Sequence, residues 1–324
     1  MPGMLGVLVL AVSAAVTGAP STSACARCHP REVRAHERTR MATAMMPALA
    51  SPFARNLPTQ PLSESADGYA FEYRVTDQGL LVIASRGKDR AQGIIEWVIG
   101  SGEQGQTPLV RTAHGIAQHR VSYFPQLNRY GITIGDDAGS SPNAESALGR
   151  SWSKSDLKAC LNCHATSVSE NLQDFIPGIQ CIRCHPGAAE HARGIGMPLN
   201  PGKLAPSAQI EFCGECHRLK APGKEADLEN VRFQPLRLSK SKCFAMGKLA
   251  CTTCHAAHED VRRNDAAYYN AKCLSCHVRQ AHADERQHES CVGCHMPAVQ
   301  LHPALRFTDH FIRVVTASTT AGEH

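Results

Sequence analysis

The chain has 324 residues, enough for two ordinary domains, and a formal net charge of +5. Aromatic residues are only 5% and the cysteines inflate the 43% hydrophobic share. The apolar side chains of the C-terminal half are therefore too sparse for a conventional core.

Residues 1–24 carry no charged side chain, and small residues follow the short apolar run from Met4 to Val16. This reads as a secretory signal peptide lacking a basic n-region. An uncleaved N-terminal anchor is the rival. The run is short, rich in Gly, Ala, Ser and Thr, and leaves little spacer before Cys25, which favours cleavage and export. Segment 25–58 opens with Cys25-Ala-Arg-Cys-His29. Arg31 to Met46 then reads as a polar helix carrying His36, Met41, Met45 and Met46, ended by a proline-rich loop. From Gly68 the period becomes two: Tyr69, Phe71, Tyr73 and Val75 alternate with Ala70, Glu72, Arg74 and Thr76. That predicts a strand, a turn at Asp77-Gln78-Gly79, and a hairpin partner from Leu80 to Ala84. Further short strands are expected at 94–99, 109–111, 116–124 and 132–134, so residues 59–135 are assigned to a small antiparallel β module. Residues 136–152 are a linker. Ser153 to Asp156 fits a capping box, and Leu157, Cys160, Leu161 and His164 follow at helical spacing. Residues 153–315 form one domain with six further motifs, and 316–324 a flexible tail.

One phrase, Cys-x-x-Cys-His, organises the chain. Its copies are Cys25/Cys28/His29, Cys160/Cys163/His164, Cys181/Cys184/His185, Cys213/Cys216/His217, Cys251/Cys254/His255, Cys273/Cys276/His277 and Cys291/Cys294/His295. They take fourteen of the fifteen cysteines. A lone copy reads equally as half a zinc site or as a redox dithiol. Neither needs histidine at that one offset, and seven chance coincidences have a probability on the order of 10⁻⁹. The phrase is the attachment signature of c-type haem: both thiols bond the porphyrin, and the histidine is the proximal iron ligand. Seven covalently attached haems c are expected, and their faces supply the apolar area the side chains lack. Each ferric haem adds about −1 and each ferrous haem about −2, so the holoprotein is roughly −2 or −9 and no nucleic-acid partner is inferred. From Cys160 on, motif starts are 21, 32, 38, 22 and 18 residues apart, too close for a conventional domain between them. The expected fold is a mostly α and irregular multihaem cytochrome c fold organised around stacked haems, with the small antiparallel β module inserted after the first motif.

Each iron has a second face: a histidine there gives an electron-transfer site, and an empty face admits substrate. His258 follows His255 by three residues, on the same face if the helix continues, so the two cannot reach opposite faces of one ring. The argument applies less strictly to His191 after His185 and His36 after His29. His191, His258 and His310 are the leading distal candidates; His36, His282, His288 and His302 are further ones. His119 shares a strand face with Val121 and Tyr123 and reads as a satisfied core histidine. Met41, Met45 or Met46 is an alternative cap for the first haem. That haem has the least defined partner, so any five-coordinate iron is expected there. Cys243, the odd cysteine, reads as structural, with an iron ligand or a reactive thiol as alternatives.

Cys251-Thr-Thr-Cys-His-Ala-Ala-His258, Cys181-Ile-Arg-Cys-His-Pro-Gly-Ala-Ala-Glu-His191 and Cys291-Val-Gly-Cys-His-Met-Pro297, with Phe307-Thr-Asp-His310, resemble the bacterial multihaem cytochromes with doubled C-x-x-C-H motifs. These are related to the tetrahaem electron carrier of ammonia oxidisers and, more distantly, to nitrite reductase, hydroxylamine oxidoreductase and tetrathionate reductase cytochromes. Ile99-Gly-Ser-Gly102, Val121-Ser-Tyr-Phe-Pro125 and Ser241-Lys-Cys-Phe244 are similar to other segments of the family. The resemblance implies that His191, His258 and His310 are distal ligands of an exported electron-transfer protein. It carries over no catalysis: the Cys-x-x-Cys-Lys site of nitrite reductase has no counterpart, and seven motifs do not match the eight haems of hydroxylamine oxidoreductase. The expectation is a periplasmic or extracellular electron carrier serving redox partner proteins. Its alternatives are a reductase or oxidase of a small inorganic nitrogen or sulfur species, and a self-associating haem filament.

Overall fold

The computed structural model describes residues 22–63, 68–136, 140–172, 174–221, 228–277 and 290–314. Nearly all of the expected signal peptide, His282, His288 and the expected tail lie outside them. Among the described residues no helix is long and apolar enough to cross a membrane.

The alternating stretch after Gly68 folds as its period requires. β2 (Ala70–Thr76) and β3 (Gly79–Arg86) form the expected hairpin, with Phe71 buried and the distal Val75 exposed. β4 (Asp89–Ile99), β5 (Thr107–Thr112) and β6 (Gly115–His119) continue it in antiparallel order. β3 pairs β4 only as far as Ile95, which leaves the stretch from Trp97 to Ile99 open on that side. β1 (Met45–Pro47) fills the gap, pairing Met45 with Ile99. β9 (Gly149–Ser151) closes the other edge against β6. β7 (Val121–Phe124) and β8 (Arg129–Ile132) form a separate hairpin, as do β10 (Ala165–Val168) with β11 (Phe175–Pro177) and β12 (Ala298–His302) with β13 (Leu305–Thr308).

The expectation of a mostly α and irregular fold with a small β insert is thereby corrected. A seven-stranded antiparallel sheet is the dominant element, and it recruits strands from outside 59–135. The helices are short, the longest described having 11 and 12 residues. The expected helix from Arg31 to Met46 stops at His36. The Thr39 hydroxyl donates to the His36 carbonyl (2.7 Å) and accepts from the Ala42 N–H (3.2 Å), which turns the chain towards β1. Met45 then enters the core, and the Met46 sulfur accepts from Gln106 Nε2 at 3.8 Å, which occupies both otherwise than as an iron cap.

The two faces of the sheet bury different partners. One covers Phe53, Tyr69, Phe71, Leu80, Ile95, Val110 and Leu148. The other carries Trp97 and Leu109 and receives Leu157 and Leu161, one turn apart on the helix Lys154–His164. That helix starts at the expected capping box: Ser153 Oγ accepts from the Asp156 N–H (3.2 Å) and Asp156 Oδ2 accepts from the Ser153 N–H (2.9 Å). Such a box contributes about 1 kcal/mol. The sheet therefore aims the second motif. Beyond Cys181 the core is thin: among the described residues only Ile210, Val231, Phe233, Leu236, Leu238 and Ala304 are buried hydrophobics.

His119 is fully buried, its Nδ1 at 2.6 Å from the Leu148 carbonyl and its Nε2 at 2.7 Å from the Tyr73 hydroxyl. Burial pushes its pKa from the ordinary 6.5 down to about 4. Between those values the unfolded chain binds a proton that the folded chain refuses, so stability falls as pH drops through this window. The loss reaches about 3 kcal/mol at the acid end. Denaturant unfolding at several pH values measures it; a His119→Gln protein should lose most of that pH dependence.

Candidate functional site

Every Cys-x-x-Cys-His phrase closes a helical turn. The histidine N–H donates back to the carbonyl of the first cysteine at His29 (2.9 Å), His185 (3.0 Å), His255 (3.1 Å) and His277 (2.9 Å). The copies ending at His164, His217 and His295 lie within helices. Positions i, i+3 and i+4 share one helical face, so the turn presents two thiols and an imidazole together. None of the fifteen cysteines is in a disulfide.

The motifs abut one another. The thiols of Cys25 and Cys181, Cys163 and Cys216, Cys213 and Cys251, and Cys273 and Cys291 are close neighbours, and the Cys163 thiol donates to the Cys216 carbonyl at 3.8 Å. Their proximity lowers the Cys216 thiol and raises the Cys163 thiol. The first motif thus touches the third, the second the fourth, the fourth the fifth, and the sixth the seventh. Gly178 fits this packing: its φ is +67°, and a Cβ there would overlap the Ala42 carbonyl oxygen.

The copies are identical in form but not in setting. Cys28, Cys276 and Cys294 are exposed, whereas the other motif cysteines are half-buried. Each is the second cysteine of its copy, in the first, sixth and seventh motifs. In those copies the first cysteine, Cys25, Cys273 or Cys291, is the one that meets a neighbouring motif. Residues three apart on a helix differ by roughly 60° in direction, so a first thiol turned inward leaves the second nearer solvent. His29 and His277, next to Cys28 and Cys276, are exposed as well. These three thiols belong to the same attachment turns as their partners, but no packed motif encloses them as it does Cys163, Cys213 and Cys251.

Among the described residues three motif histidines face a histidine from elsewhere in the chain. His29 and His191 have ring centres 6.3 Å apart, His185 and His258 6.0 Å, and His255 and His310 6.2 Å, with interplanar angles of 41°, 35° and 34°. A metal–imidazole bond of about 2.0 Å, with the ring centre about 1.1 Å behind the nitrogen, puts the ring centres of two axial imidazoles about 6.2 Å apart. The pairs fit a metal held between them. In each, the second histidine follows a different motif. The first motif, whose partner was the least defined, has His191 opposite it.

Backbone carbonyls fix the tautomers. Nδ1 of His185 lies 2.9 Å from Leu199 O, Nδ1 of His191 2.9 Å from Gly196 O, and Nδ1 of His310 3.0 Å from Thr308 O. His164 meets Ala44 O at 2.9 Å and His295 meets Arg313 O at 2.8 Å in the same way. A carbonyl only accepts, so Nδ1 carries the proton and Nε2 keeps its lone pair for a metal. Desolvation pushes His310 down to about 4 and lowers His164, His217, His255 and His258. All five stay neutral, the form that ligates.

Other candidates sit differently. His36 is buried near His185 and His258, with Nδ1 unpartnered. His302 is exposed on β12, stacked 6.2 Å from Phe124, and its Nδ1 accepts from the Ala304 N–H. His217 keeps an exposed surface at the C-terminal end of its helix. Cys243 lies on the short helix Lys242–Ala245, within electrostatic range of Cys254 and Cys273. Sequence reasoning missed Asp309, a buried carboxylate gripped by Arg237 and Arg313 next to His310. Its position between Thr308 and His310 was the only available signal.

No protein-family model matches the chain. No curated protein matches it. Among solved structures it is similar to the outer cell wall cytochrome OcwA, at 19% identity and a TM-score of 0.36, over 60% of this chain and 36% of that one. The chain thus spans about a third of that cytochrome's length.

If haems occupy these turns, His191→Ala, His258→Ala and His310→Ala should each turn one low-spin iron high-spin and let it bind carbon monoxide, with haem content unchanged. Electron paramagnetic resonance with carbon monoxide titration reads this; an unaltered spectrum would show that the substituted histidine is not a ligand.

Proposed function

We propose that the chain is an exported seven-haem c-type cytochrome that carries electrons between redox partner proteins. The observation that carries this reading is the set of three facing histidine pairs, each built on a Cys-x-x-Cys-His turn. Haem c, when bound, supplies one-electron exchange between Fe(III) and Fe(II).

The chain's part is attachment, ligation and exclusion of water. The fourteen motif cysteines are the covalent anchors, with Cys28, Cys276 and Cys294 at the solvent-facing edge of their sites. His29, His164, His185, His217, His255, His277 and His295 are the proximal ligands. His191, His258 and His310 are the distal ligands of the first, third and fifth sites; His36, His282, His288 and His302 are the reserve for the others. Nδ1–H bonds to carbonyls orient these imidazoles and strengthen them as donors. Contact between motifs keeps the anchors close, as rapid electron exchange requires. The thin core beyond Cys181 accords with an apolar prosthetic group in place of side chains. Histidine on both sides of a metal leaves no face for substrate, and this favours conduction over reduction of a small nitrogen or sulfur species. An apolar leader at residues 1–24 and thioether attachment both accord with a periplasmic or extracellular site of action.

The test is haem content with redox behaviour. Purified from an exporting host, the protein should give seven haems per chain by pyridine haemochrome, mostly low-spin signals when oxidised, and full reduction by dithionite reversed by a ferric acceptor. A chain without covalent haem, or one that binds zinc at its cysteines instead, overturns the proposal.

A further inference from the structure

We propose that Asp309 is a positioning residue for two metal centres: through Arg237 and Arg313 it holds His310 opposite His255 and places the carbonyl that orients His295. The inference rests on the seven-haem reading and deepens it.

Asp309 is 1% exposed. Its Oδ1 accepts from Arg237 Nε at 2.7 Å and from the Phe311 N–H at 3.0 Å. Its Oδ2 accepts from Arg237 Nη2 at 2.5 Å and from Arg313 Nη1 at 2.6 Å. The Arg237 fork is bidentate, the geometry that fixes direction as well as distance. It ties an irregular stretch of chain, which has no strand or helix of its own, to the helix Gln234–Ser239. Ser241, fully buried, reinforces the join: its hydroxyl donates to the His310 carbonyl (3.3 Å) and accepts from the Ile312 N–H (2.9 Å).

Two consequences follow from this one carboxylate. The first concerns His310. Its backbone is held on one side by the Asp309 N–H bond to Pro297 O (3.0 Å) and on the other by Ser241. The imidazole on that fixed backbone donates Nδ1–H to Thr308 O and stands 6.2 Å from the His255 ring. The second concerns His295. The Arg313 N–H donates to His295 O (3.2 Å), and the Arg313 carbonyl accepts from His295 Nδ1 (2.8 Å). A carbonyl on the Nδ1–H of a ligating histidine raises its donor strength. Arg313 stands where Asp309 holds its side chain, so the carboxylate governs the distal ligand at the fifth motif and the proximal ligand at the seventh.

The experiment compares Asp309→Asn with His310→Ala, both as holoproteins, by haem content, electron paramagnetic resonance and redox titration. Asp309→Asn should keep seven haems and convert to high-spin the same iron that His310→Ala converts. It should also shift the potential of a second iron that His310→Ala leaves unmoved. Seven haems with the wild-type spectrum and potentials overturn the inference. If Asp309→Asn yields no holoprotein, Arg313→Gln decides. It keeps the Arg237 fork and should shift the seventh site's potential alone; unchanged potentials overturn the inference. A wild-type protein without seven haems sinks the functional reading instead, and the two failures are thereby distinguished.

Discussion

The facing imidazoles come from different motifs and not from neighbours in the chain, and the rest of the architecture depends on that pairing. His258 is three residues from His255, yet it stands against His185. His191 follows the third motif and stands against the first. His310 comes from beyond the seventh motif and stands against the fifth. Each pair crosslinks two distant stretches of chain, so the motifs are threaded through one another. In the proposed reading, removing one histidine frees a metal face and also releases a segment.

The two halves of the molecule are held by different physics. The sheet buries side chains on both faces and needs no prosthetic group for its core. The motif half buries few side chains; in the proposed reading covalent attachment and ligation hold it. The loop after β4 joins them. Glu103 accepts from Arg40 (2.6 Å) and Arg263 (3.0 Å), Arg40 also pairs with Asp260, and Gln104 exchanges two hydrogen bonds with the Arg306 backbone. The Arg40 and Arg263 pairs are partly exposed, where a pair contributes about 0–1 kcal/mol, so they set orientation more than stability. The Asp309 cluster is buried, where breaking such a pair costs about 3–5 kcal/mol.

The sequence made the strands of the sheet legible because Tyr69, Phe71 and Tyr73 alternate with polar residues over a half-buried hairpin. It did not reveal β1 or β9, which are three-residue pieces whose only reason to be extended is an open edge on a strand far away in the chain. Giving the motifs priority also hid the weight of the sheet, since seven attachment turns suggested a fold built from them alone. The motif also reads the same at every copy, so it could not separate the exposed Cys28, Cys276 and Cys294 from the half-buried anchors; contact between motifs makes that difference. For the ligands, spacing excluded His258 from its own motif. It could not choose among the others, because a pair such as His29 and His191 is set by tertiary packing across 162 residues. Asp309 was invisible for a similar reason: its importance lies in Arg237, contributed by a separate helix.

The central claim is that a metal sits between each facing pair. Crystals of the holoprotein measured at the iron absorption edge test it directly. The account predicts iron peaks midway between His29 and His191, His185 and His258, and His255 and His310, each bonded to Nε2 of both partners. Iron bound to only one histidine of these pairs, or displaced from between them, would contradict it.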